Sequence, residues 1–291
     1  MFKRRKLQGR TDEQLLLMRT AGLLVGRTLE MLRAEVREGV TTLELDRLAE
    51  AFIRDHGGIP NFQLVPGYAN TVCTSVNEEV VHGIPGARVL SNGDVLSIDC
   101  GAEIDGWNGD AAITTVVGGR EAGAGDDLAL IDATEASLYA GIAAMQVGGR
   151  LYAIGDAVEA SVRAAAERDG RVYGVIDEYV GHGIGTKMHM DPQIPNYAVT
   201  ETGPKLVDGF TGAIEPMVTL GTTDTKVLGD DWTVVTTDGS RSAHWEHSVA
   251  VREDGLWILT AIDGGQSVLA AHGAAYAPID AGAAGPGEGP R

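Results

Sequence analysis

Apolar side chains recur at helical spacing in four segments of the chain, and these segments fall into two pairs. The first two segments each begin with a capping box, Thr11-x-x-Gln14 and Thr41-x-x-Glu44, a pattern that satisfies free backbone N–H groups at the start of a helix. Glycines are expected to end these helices, near Gly39 and at Gly57-Gly58. The same spacing predicts two further helices, over residues 127–147 and 154–167.

Strand-like segments follow each pair of helices. Residues 65–117 and residues 172 to about 259 are rich in β-branched side chains and are interrupted by Gly, Pro and Asn. Two helices followed by strands, repeated once, favour an α+β fold over an alternating parallel α/β fold. We expect a single domain over residues 1–263, with two pseudo-repeats at about 11–120 and 121–263 that are alike in element order and not in residue identity.

The C-terminal stretch differs in composition from the rest of the chain. After Asp263 the sequence consists largely of Gly, Ala and Pro. Such a segment buries little apolar surface and does not repay the entropy of ordering. The composition therefore predicts a disordered tail over residues 264–291.

The net charge of the chain indicates which kinds of binding partner to expect. The 291 residues include 23 Lys and Arg against 41 Asp and Glu, which gives a net charge of −18. Proteins that bind nucleic acids need clustered cations to contact phosphates, so no nucleic-acid partner is expected. An acidic excess suits a protein that attracts cations.

The cysteine content and the N-terminal sequence indicate the cellular compartment of the protein. Cys73 and Cys100 are the only cysteines of the sequence, too few for a cysteine-rich zinc module or a disulfide framework. The basic residues near the N-terminus are not followed by the apolar core of a signal peptide. No stretch approaches the roughly 18 apolar residues of a membrane span. We therefore expect a cytoplasmic protein without a membrane partner.

Two aspartates fall on one face of a predicted β-hairpin. Asp105-Gly106 is a strong signal for a two-residue type I′ turn, because both turn residues need positive φ. With that turn Asp99 lies opposite Ala112, and Asp110 lies two residues further along on the same face. The two residues are then roughly 7–8 Å apart at their Cα atoms. Their carboxylates can converge on two metal ions about 3.5–4 Å apart.

Other chelating side chains lie later in the chain. His182 stands in the run Gly-His-Gly-Ile-Gly, where glycines let the backbone approach a site closely, and His189 follows it by seven positions. Glu215 stands in an apolar sequence where an unpaired carboxylate would be costly, and Glu246 stands in a strand-like segment. His82 lies in a loop that precedes Gly and Pro. An imidazole in such a place can bind a metal ion or transfer a proton.

Taken singly, these residues permit other interpretations. Each acidic residue could be a surface carboxylate, and each histidine could face solvent from a polar turn. His82 could also pair with Cys73 as the base and thiol nucleophile of a cysteine hydrolase, although the sequence marks no third residue to orient the base.

Together these residues resemble the methionine aminopeptidase family, type I. The matching segments occur in the family's order and spacing: TVCTSVNEEVVHGIPG at 71–86, DVLSIDCGAEIDGWNGD at 94–110, GHGIGTKMHMDPQIPNY at 181–197, AIEPM at 213–217 and RSAHWEHS at 241–248. The resemblance extends from about residue 10 to about residue 262. Any one motif is weak evidence, whereas five in order are highly specific.

The resemblance implies a pita-bread (creatinase/aminopeptidase) fold and a dinuclear metallo-exopeptidase. It implies five ligands of two divalent ions (Co, Mn, Fe or Zn), namely Asp99, Asp110, His182, Glu215 and Glu246. By the same comparison His82 and His189 contact the substrate, and Glu215 also transfers the proton of the reaction. The residues that match the lining of the methionine pocket are Tyr68, Cys73, Met188 and Trp232.

The implied reaction is removal of the initiator methionine from nascent polypeptides when the second residue is small, by attack of a hydroxide that bridges the two ions. The resemblance further implies a monomer that associates transiently with the ribosome. Met190 and Asn108 stand where relatives often carry Glu and His, and Val65 stands where some carry an aromatic residue. These departures bear on selectivity and not on metal binding, because none of the three is a ligand position.

Two alternatives remain within this interpretation. The first is a proline-specific aminopeptidase or dipeptidase of the same fold, although such enzymes usually carry an additional N-terminal domain for which the residues before Thr11 leave no room. The second is a non-catalytic binding relative, although relatives of that kind lose ligand residues and all five are chelating here.

Overall fold

The computed structural model describes residues 7–279, in which the longer helices come in two consecutive pairs. The helices are α1 (Asp12–Glu35), α2 (Thr42–Asp55), α3 (Gly125–Ala143), α4 (Ala153–Asp169) and the short α5 (Gln266–Ala271). Both predicted capping boxes are present, at Thr11 with Gln14 and at Thr41 with Glu44. The first helix ends at Glu35, before the predicted Gly39.

Strands follow each helix pair, as predicted. They are β1 (Ile59–Pro60), β2 (Val72–Val76), β3 (Glu79–Val81), β4 (Val95–Ile104), β5 (Trp107–Val116), β6 (Gly174–Val175), β7 (Gly181–Gly183), β8 (Met190–Ile194), β9 (Thr211–Ile214), β10 (Met217–Thr219), β11 (Thr225–Val227), β12 (Val234–Thr236), β13 (Ser242–His244), β14 (Glu246–Arg252) and β15 (Gly255–Ile258). Single 3₁₀ turns lie at Asn61–Leu64 and Arg120–Ala122.

The strands form one large antiparallel sheet and two small ones. The large sheet has the order β1-β4-β5-β14-β9-β7-β8, with β2 beside β4 and β15 beside β14. The small sheets have the orders β13-β10-β6 and β11-β12-β3. Every pairing between these strands is antiparallel, which confirms the predicted α+β class.

The predicted hairpin forms with the predicted register. Asp105 and Gly106 adopt φ values of 51° and 79°, as a type I′ turn requires. Asp99 pairs with Ala112, and Asp110 lies two residues beyond Ala112 on the same face. A turn of two residues is a local feature, so its sequence alone sets the pairing of all ten residues on each strand.

Each helix pair covers its own set of strands. One apolar cluster joins α1 and α2 to β2 and β4, and its fully buried members include Leu32, Leu45 and Ile98. A larger cluster joins α3 and α4 to β9, β10 and β14, and its buried members include Leu138 and Ile214. The two halves of the chain are thus packed around the sheet by the periodic apolar faces that predicted the helices.

The backbone of helix α1 packs directly against the backbone of the hairpin. A Cβ atom on Gly109 of β5 would lie 2.8 Å from the Cα atom of Gly22 in α1, and a Cβ atom on Gly22 would lie 2.4 Å from the carbonyl oxygen of Leu259. Side chains at these positions would have to displace backbone, which is rigid within a helix and a sheet. The two glycines therefore fix how closely α1 holds the strand that carries Asp110.

The prediction of disorder is wrong for residues 264–279. Helix α5 buries Leu269, which is 1% exposed, and Tyr276 pairs with Leu256 of β15 through a β-bridge. A few apolar side chains inside a Gly- and Ala-rich segment are enough to anchor it to a preformed core, which an average over the whole tail conceals. Residues 280–291, the rest of the predicted tail, lie outside the described range.

Among residues 7–279, none of the helices is both long enough and apolar enough to cross a bilayer.

Replacing Gly109 by alanine should destabilise the fold by about 1–3 kcal/mol, because the added methyl group overpacks the contact with α1. Urea unfolding of the chelator-treated protein measures this change. The control is Gly125→Ala at the first turn of α3, where a Cβ atom meets nothing within 4 Å. Equal stability of the two variants would show that α1 adjusts freely and does not fix the hairpin.

Candidate metal centre

Five chelating side chains come from five neighbouring strands of the large sheet. In the order β4, β5, β14, β9 and β7 the strands present Asp99, Asp110, Glu246, Glu215 and His182, with Glu215 directly after the end of β9. The sequence separates these residues by as many as 147 positions, from 99 to 246. The order of the strands therefore brings them together.

Small residues leave room between the chelating groups. Ala112 lies directly between Asp99 and Glu246 in one row across β4, β5 and β14. Ala213 of β9 lies opposite His182 in the same way. Residues directly opposite or two apart along a strand share one face. All five chelating side chains thus point to the same side of the sheet, around methyl groups that do not fill the space.

The distances suit metal coordination. The Nε2 atom of His182 lies 3.6 Å from Oε1 of Glu215 and 4.0 Å from Oδ2 of Asp110. Ligand atoms of Asp99, Asp110 and Glu246 lie within 4.8 Å of one another, and so do those of His182, Glu215 and Glu246. Ligand atoms of Asp110, His182 and His189 form a third such group. Glu246 belongs to the first two groups, as expected of a residue between two binding positions.

The carboxylate oxygens lack partners of their own. One buried oxygen atom of each acidic residue in the cluster accepts no hydrogen bond: Oδ1 of Asp99, Oδ1 of Asp110, Oε1 of Glu215 and Oε1 of Glu246. A buried carboxylate without a partner is strongly disfavoured. Four such atoms in one cavity therefore indicate a site made for cations, and one imidazole with four carboxylates is a donor set that divalent metal ions accept.

Burial raises the pKa of every carboxyl group in the cluster, and repulsion by neighbouring carboxylates raises the pKa values of Asp110, Glu215 and Glu246 further. For Asp99 burial raises the pKa to about 7. For Asp110 burial and then the charges of Asp99 and Glu215 raise the pKa well above its usual range. Burial is also the first cause of the raised pKa values of Glu215 and Glu246. A divalent ion would reverse this preference, because it favours the charged form of its ligands.

Backbone hydrogen bonds hold the ligand residues in place. The Ser248 hydroxyl accepts from the N–H of Asp110 at 3.0 Å and donates to its carbonyl at 2.8 Å. The Asn196 side chain accepts from the N–H of Glu215 at 3.3 Å and donates to its carbonyl at 3.2 Å. The backbone N–H and carbonyl groups of Asp110 and Glu215 are thereby satisfied, which leaves their carboxylates free to face the cavity.

His182 presents one defined nitrogen to the cluster. Its Nδ1 atom lies 3.0 Å from the carbonyl oxygen of Gly183, and a carbonyl can only accept, so Nδ1 carries the hydrogen. The lone pair is then on Nε2, the atom that faces Glu215 and Asp110. Burial, followed by the proximity of His189, lowers the pKa of His182 to about 4. A neutral imidazole with a free Nε2 is the form that binds metal.

His82 and His189 stand beside the cluster. The ring of His189 is exposed and lies 4.5 Å from that of His182. His82 follows β3 in a left-handed backbone conformation, with φ at 60°, a conformation in which histidine is enriched. Its ring meets Tyr179 and Trp232 at centroid distances of 5.5 and 6.2 Å. Burial lowers the pKa of His82 to about 4, so its imidazole is neutral near pH 7.

A cavity opens beside the carboxylates. All four residues predicted to line a methionine pocket line it, namely Tyr68, Cys73, Met188 and Trp232. Phe62, which was not predicted as a pocket residue, packs with Tyr68, Cys73 and Met188 in one apolar cluster. Phe62 stands in a short 3₁₀ turn outside the quoted motifs, so no pattern marked it. Val65 also lines the cavity.

The thiol of Cys73 does not have the surroundings of a nucleophile. Burial and then the charge of Asp99 raise the pKa of Cys73 well above its ordinary value. Its hydrogen-bond partner is the hydroxyl of Tyr68, at 3.2 Å, and not a histidine. The interpretation as a cysteine hydrolase therefore finds no support, since a reactive cysteine needs a lowered pKa or an adjacent base.

Asn108 and Met190 have structural contacts. Asn108 accepts from Asn61 and donates to the carbonyl of Gly185 at 3.1 Å, which ties the hairpin to the loop after His182. The sulfur of Met190 lies 3.5 Å from the guanidinium of Arg10. Neither residue belongs to the groups of ligand atoms around Asp99, Asp110 and Glu246.

Comparison with known proteins gives consistent similarities over most of the chain. Residues 16–253 match metallopeptidase family M24. Methionine aminopeptidase 1 of Mycobacterium tuberculosis (strain CDC 1551 / Oshkosh) is 52% identical over 258 residues, which are 88% of this chain and 96% of the relative. Methionine aminopeptidase 1 of Bacillus subtilis (strain 168) is 45% identical over 253 residues, which are 87% of this chain and 98% of the relative.

Solved structures agree with these relatives. The crystal structure of methionine aminopeptidase from Thermotoga maritima superimposes with a TM-score of 0.82 at 37% identity and covers 88% of this chain and 99% of that one. Prolidase from Pyrococcus furiosus superimposes with a TM-score of 0.64 at 19% identity and covers 86% of this chain and 64% of that one. The prolidase therefore shares the fold.

Removing metal should make the stability of the protein depend on pH in a defined direction. Carboxyl groups with raised pKa values bind more protons in the folded than in the unfolded protein. The contribution of these groups to the stability of the metal-free fold is then greatest below the ordinary carboxyl pKa of about 4 and is lost as the pH rises through the raised values. Chelator-treated protein should accordingly melt at a lower temperature near pH 7.5 than near pH 5.5, whereas added divalent metal should raise the melting temperature most near pH 7.5.

Asp110→Asn identifies the source of this effect, because it removes one of the repelling charges. The variant should melt above the unaltered protein when both are treated with chelator near pH 7.5, and it should gain less from added metal. Asp105→Asn is the matched control, since it makes the same change at the exposed turn of the same hairpin. A melting temperature that does not respond to chelator or pH would contradict a cation site at the cluster.

Proposed function

Since the chain belongs to metallopeptidase family M24 and, within it, to the type I methionine aminopeptidases, we propose that its five clustered chelating side chains bind two divalent metal ions. The protein is a hydrolase with the pita-bread fold, and its activity is the metal-dependent removal of the initiator methionine. The proposed ligands are Asp99, Asp110, His182, Glu215 and Glu246.

The observation that carries this proposal is the set of four buried carboxylate oxygens without hydrogen-bond partners. Four carboxylates contribute a charge of −4, which two divalent ions would neutralise. The oxygen-rich set suits Co²⁺, Mn²⁺, Fe²⁺ or Zn²⁺ rather than a soft ion such as Cu⁺. Two of the three groups of ligand atoms share Glu246, which supports binding of more than one ion.

Divalent ions in this position supply Lewis acidity toward an amide carbonyl and make water a better nucleophile near neutral pH. The residues around them supply the remaining functions. Glu215, whose carboxyl is buried beside His182, takes up the proton of the attacking water and passes it to the leaving amine. His189 donates to the oxygen of the tetrahedral intermediate, and His82 lies near the scissile nitrogen.

The apolar cavity selects the first residue of the substrate. Its wall of aromatic and sulfur-containing side chains suits the flexible thioether of methionine. We propose that the enzyme requires a small second residue, and that it acts as a monomer in the cytoplasm on nascent chains near the ribosome. Nascent N-termini as the substrate class are supported by the methionine aminopeptidases to which the chain is similar.

A proline-specific aminopeptidase or dipeptidase is the alternative of the same fold. The prolidase similarity at 19% identity supports the fold and not this activity. A non-catalytic relative is the other alternative, and a cluster with all five chelating side chains in place argues against it. No observation favours either.

Glu215→Gln should lower kcat by about 10²–10⁴-fold at saturating metal, because an amide does not transfer the proton. Metal content after dialysis shows whether the variant still binds its ions. Glu201→Gln, an exposed residue, is the matched control and should retain full activity. Near-normal turnover by metal-loaded Glu215→Gln would remove the assigned role.

Peptide selectivity tests the proposed substrate. Met-Ala-Ser should be hydrolysed with Co²⁺, Mn²⁺, Fe²⁺ or Zn²⁺ added one at a time, while Met-Lys-Ser and Ala-Pro peptides should remain intact. The physical reason is a pocket that fits the methionine side chain and a site that admits a small second residue. Liquid chromatography of the products measures cleavage. Preferred cleavage of the Ala-Pro peptide would support the proline-specific alternative instead.

A further inference from the structure

A buried histidine, His244, lies beside the cluster and is not one of its proposed ligands. His244 is the last residue of β13 and precedes Glu246 by two positions. It is 1% exposed, and its Nε2 atom is buried without a hydrogen-bond partner. The same Nε2 atom lies 3.9 Å from Oε2 of Glu246, about 1 Å beyond hydrogen-bond distance.

The backbone of His244 is fixed from both sides. The Thr114 hydroxyl on β5 donates to the carbonyl of His244 at 2.7 Å and accepts from its N–H at 2.9 Å. Because Thr114 gives its only hydrogen to that carbonyl, the Ser97 hydroxyl on β4 is the donor in the 2.8 Å contact between the two hydroxyls. The hairpin of the metal cluster thus holds the residue whose imidazole faces Glu246.

The orphaned nitrogen points to a hydrogen bond that forms with the ionised carboxylate. A neutral imidazole carries its hydrogen on one nitrogen only. With the hydrogen on Nδ1, the lone pair of Nε2 would face the lone pairs of a charged carboxylate, which is repulsive. With the hydrogen on Nε2, a small rotation of either side chain makes a charge-assisted hydrogen bond.

We propose that His244 is a positioning residue for the metal centre, whose Nε2–H donates to Oε2 of Glu246 and so orients this carboxylate toward the metal ions. The inference rests on the proposed function, in which Glu246 is a ligand. Ligating carboxylates are commonly held by such hydrogen bonds, whose loss weakens metal binding. Glu246 needs this support because its other oxygen, Oε1, is buried and accepts no hydrogen bond from the residues that the structure describes.

The neighbouring His247 supplies a matched control. It is a histidine of β14 next to Glu246, but its Nδ1 atom lies 2.7 Å from the Thr260 hydroxyl and its Nε2 atom lies 3.3 Å from the Tyr139 hydroxyl. As the residue next to Glu246 on a strand, it points to the opposite face of the sheet. A change at His247 therefore alters a half-buried imidazole on the strand of Glu246 without touching the carboxylate.

The test compares His244→Gln, His244→Asn and His244→Leu with His247→Gln by calorimetric titration of the metal-free proteins with Co²⁺ and with Mn²⁺. A glutamine amide reaches the position of Nε2, whereas an asparagine amide reaches only that of Nδ1. Metal affinity should fall by about 10–100-fold in His244→Asn and His244→Leu, and His244→Gln should restore most of it. His247→Gln should bind metal as the unaltered protein does.

The visible absorption spectrum of the Co²⁺-loaded proteins gives a second measurement that does not depend on activity. The bands should change in His244→Asn and return toward the original in His244→Gln, because the orientation of a ligand carboxylate changes. If His244→Leu does not fold, the comparison of Gln with Asn still decides. Equal affinities and spectra for these two variants would overturn the role of His244, whereas an unaltered protein that binds no metal would overturn the proposed function itself.

Discussion

Four buried carboxylates that repel one another carry an electrostatic cost that every other feature of the site must accommodate. Asp99, Asp110, Glu215 and Glu246 lie in one cavity and repel one another, and each keeps a buried oxygen without a hydrogen-bond partner. Protons or cations are the two ways to relieve such a cluster. The raised pKa values describe the first way. A metallopeptidase site uses the second, which turns an unfavourable arrangement of charges into a binding energy for metal ions.

The scaffold is built so that the cluster cannot disperse. Five adjacent antiparallel strands each contribute one chelating residue, and Ala112 and Ala213 keep the space between them open. The Ser248 hydroxyl forms hydrogen bonds with the backbone N–H and carbonyl groups of Asp110, and the Asn196 amide does the same for Glu215. Close contact between the backbone of α1 and Gly109 fixes the position of the hairpin relative to α1. The rigidity of the site is thus a property of the sheet and not of the loops.

Neutral groups surround the charged centre. Burial holds the pKa values of His82, His182 and His244 near or below 4, so that none of the three adds a positive charge to compete with metal ions. Each neutral imidazole keeps one donor and one acceptor nitrogen, which suits ligands and hydrogen-bond donors alike. The apolar pocket around Tyr68 and Met188 opens next to the carboxylates, where the proposed function places the methionine side chain of the substrate.

Features that depend on residues close together in the chain could be predicted from the sequence. The capping boxes at Thr11 and Thr41 and the turn at Asp105-Gly106 were predicted correctly, and the turn placed Asp99 and Asp110 on one face, because each of these patterns acts over a few residues. The family motifs also indicated the other candidate ligands. The adjacency of β5, β14, β9 and β7 could not be predicted, because strand order is set by the packing of the whole sheet. The same holds for Phe62 in the pocket, for α5 in a segment predicted to be disordered, and for His244 beside Glu246, since no local pattern reports a contact between distant elements.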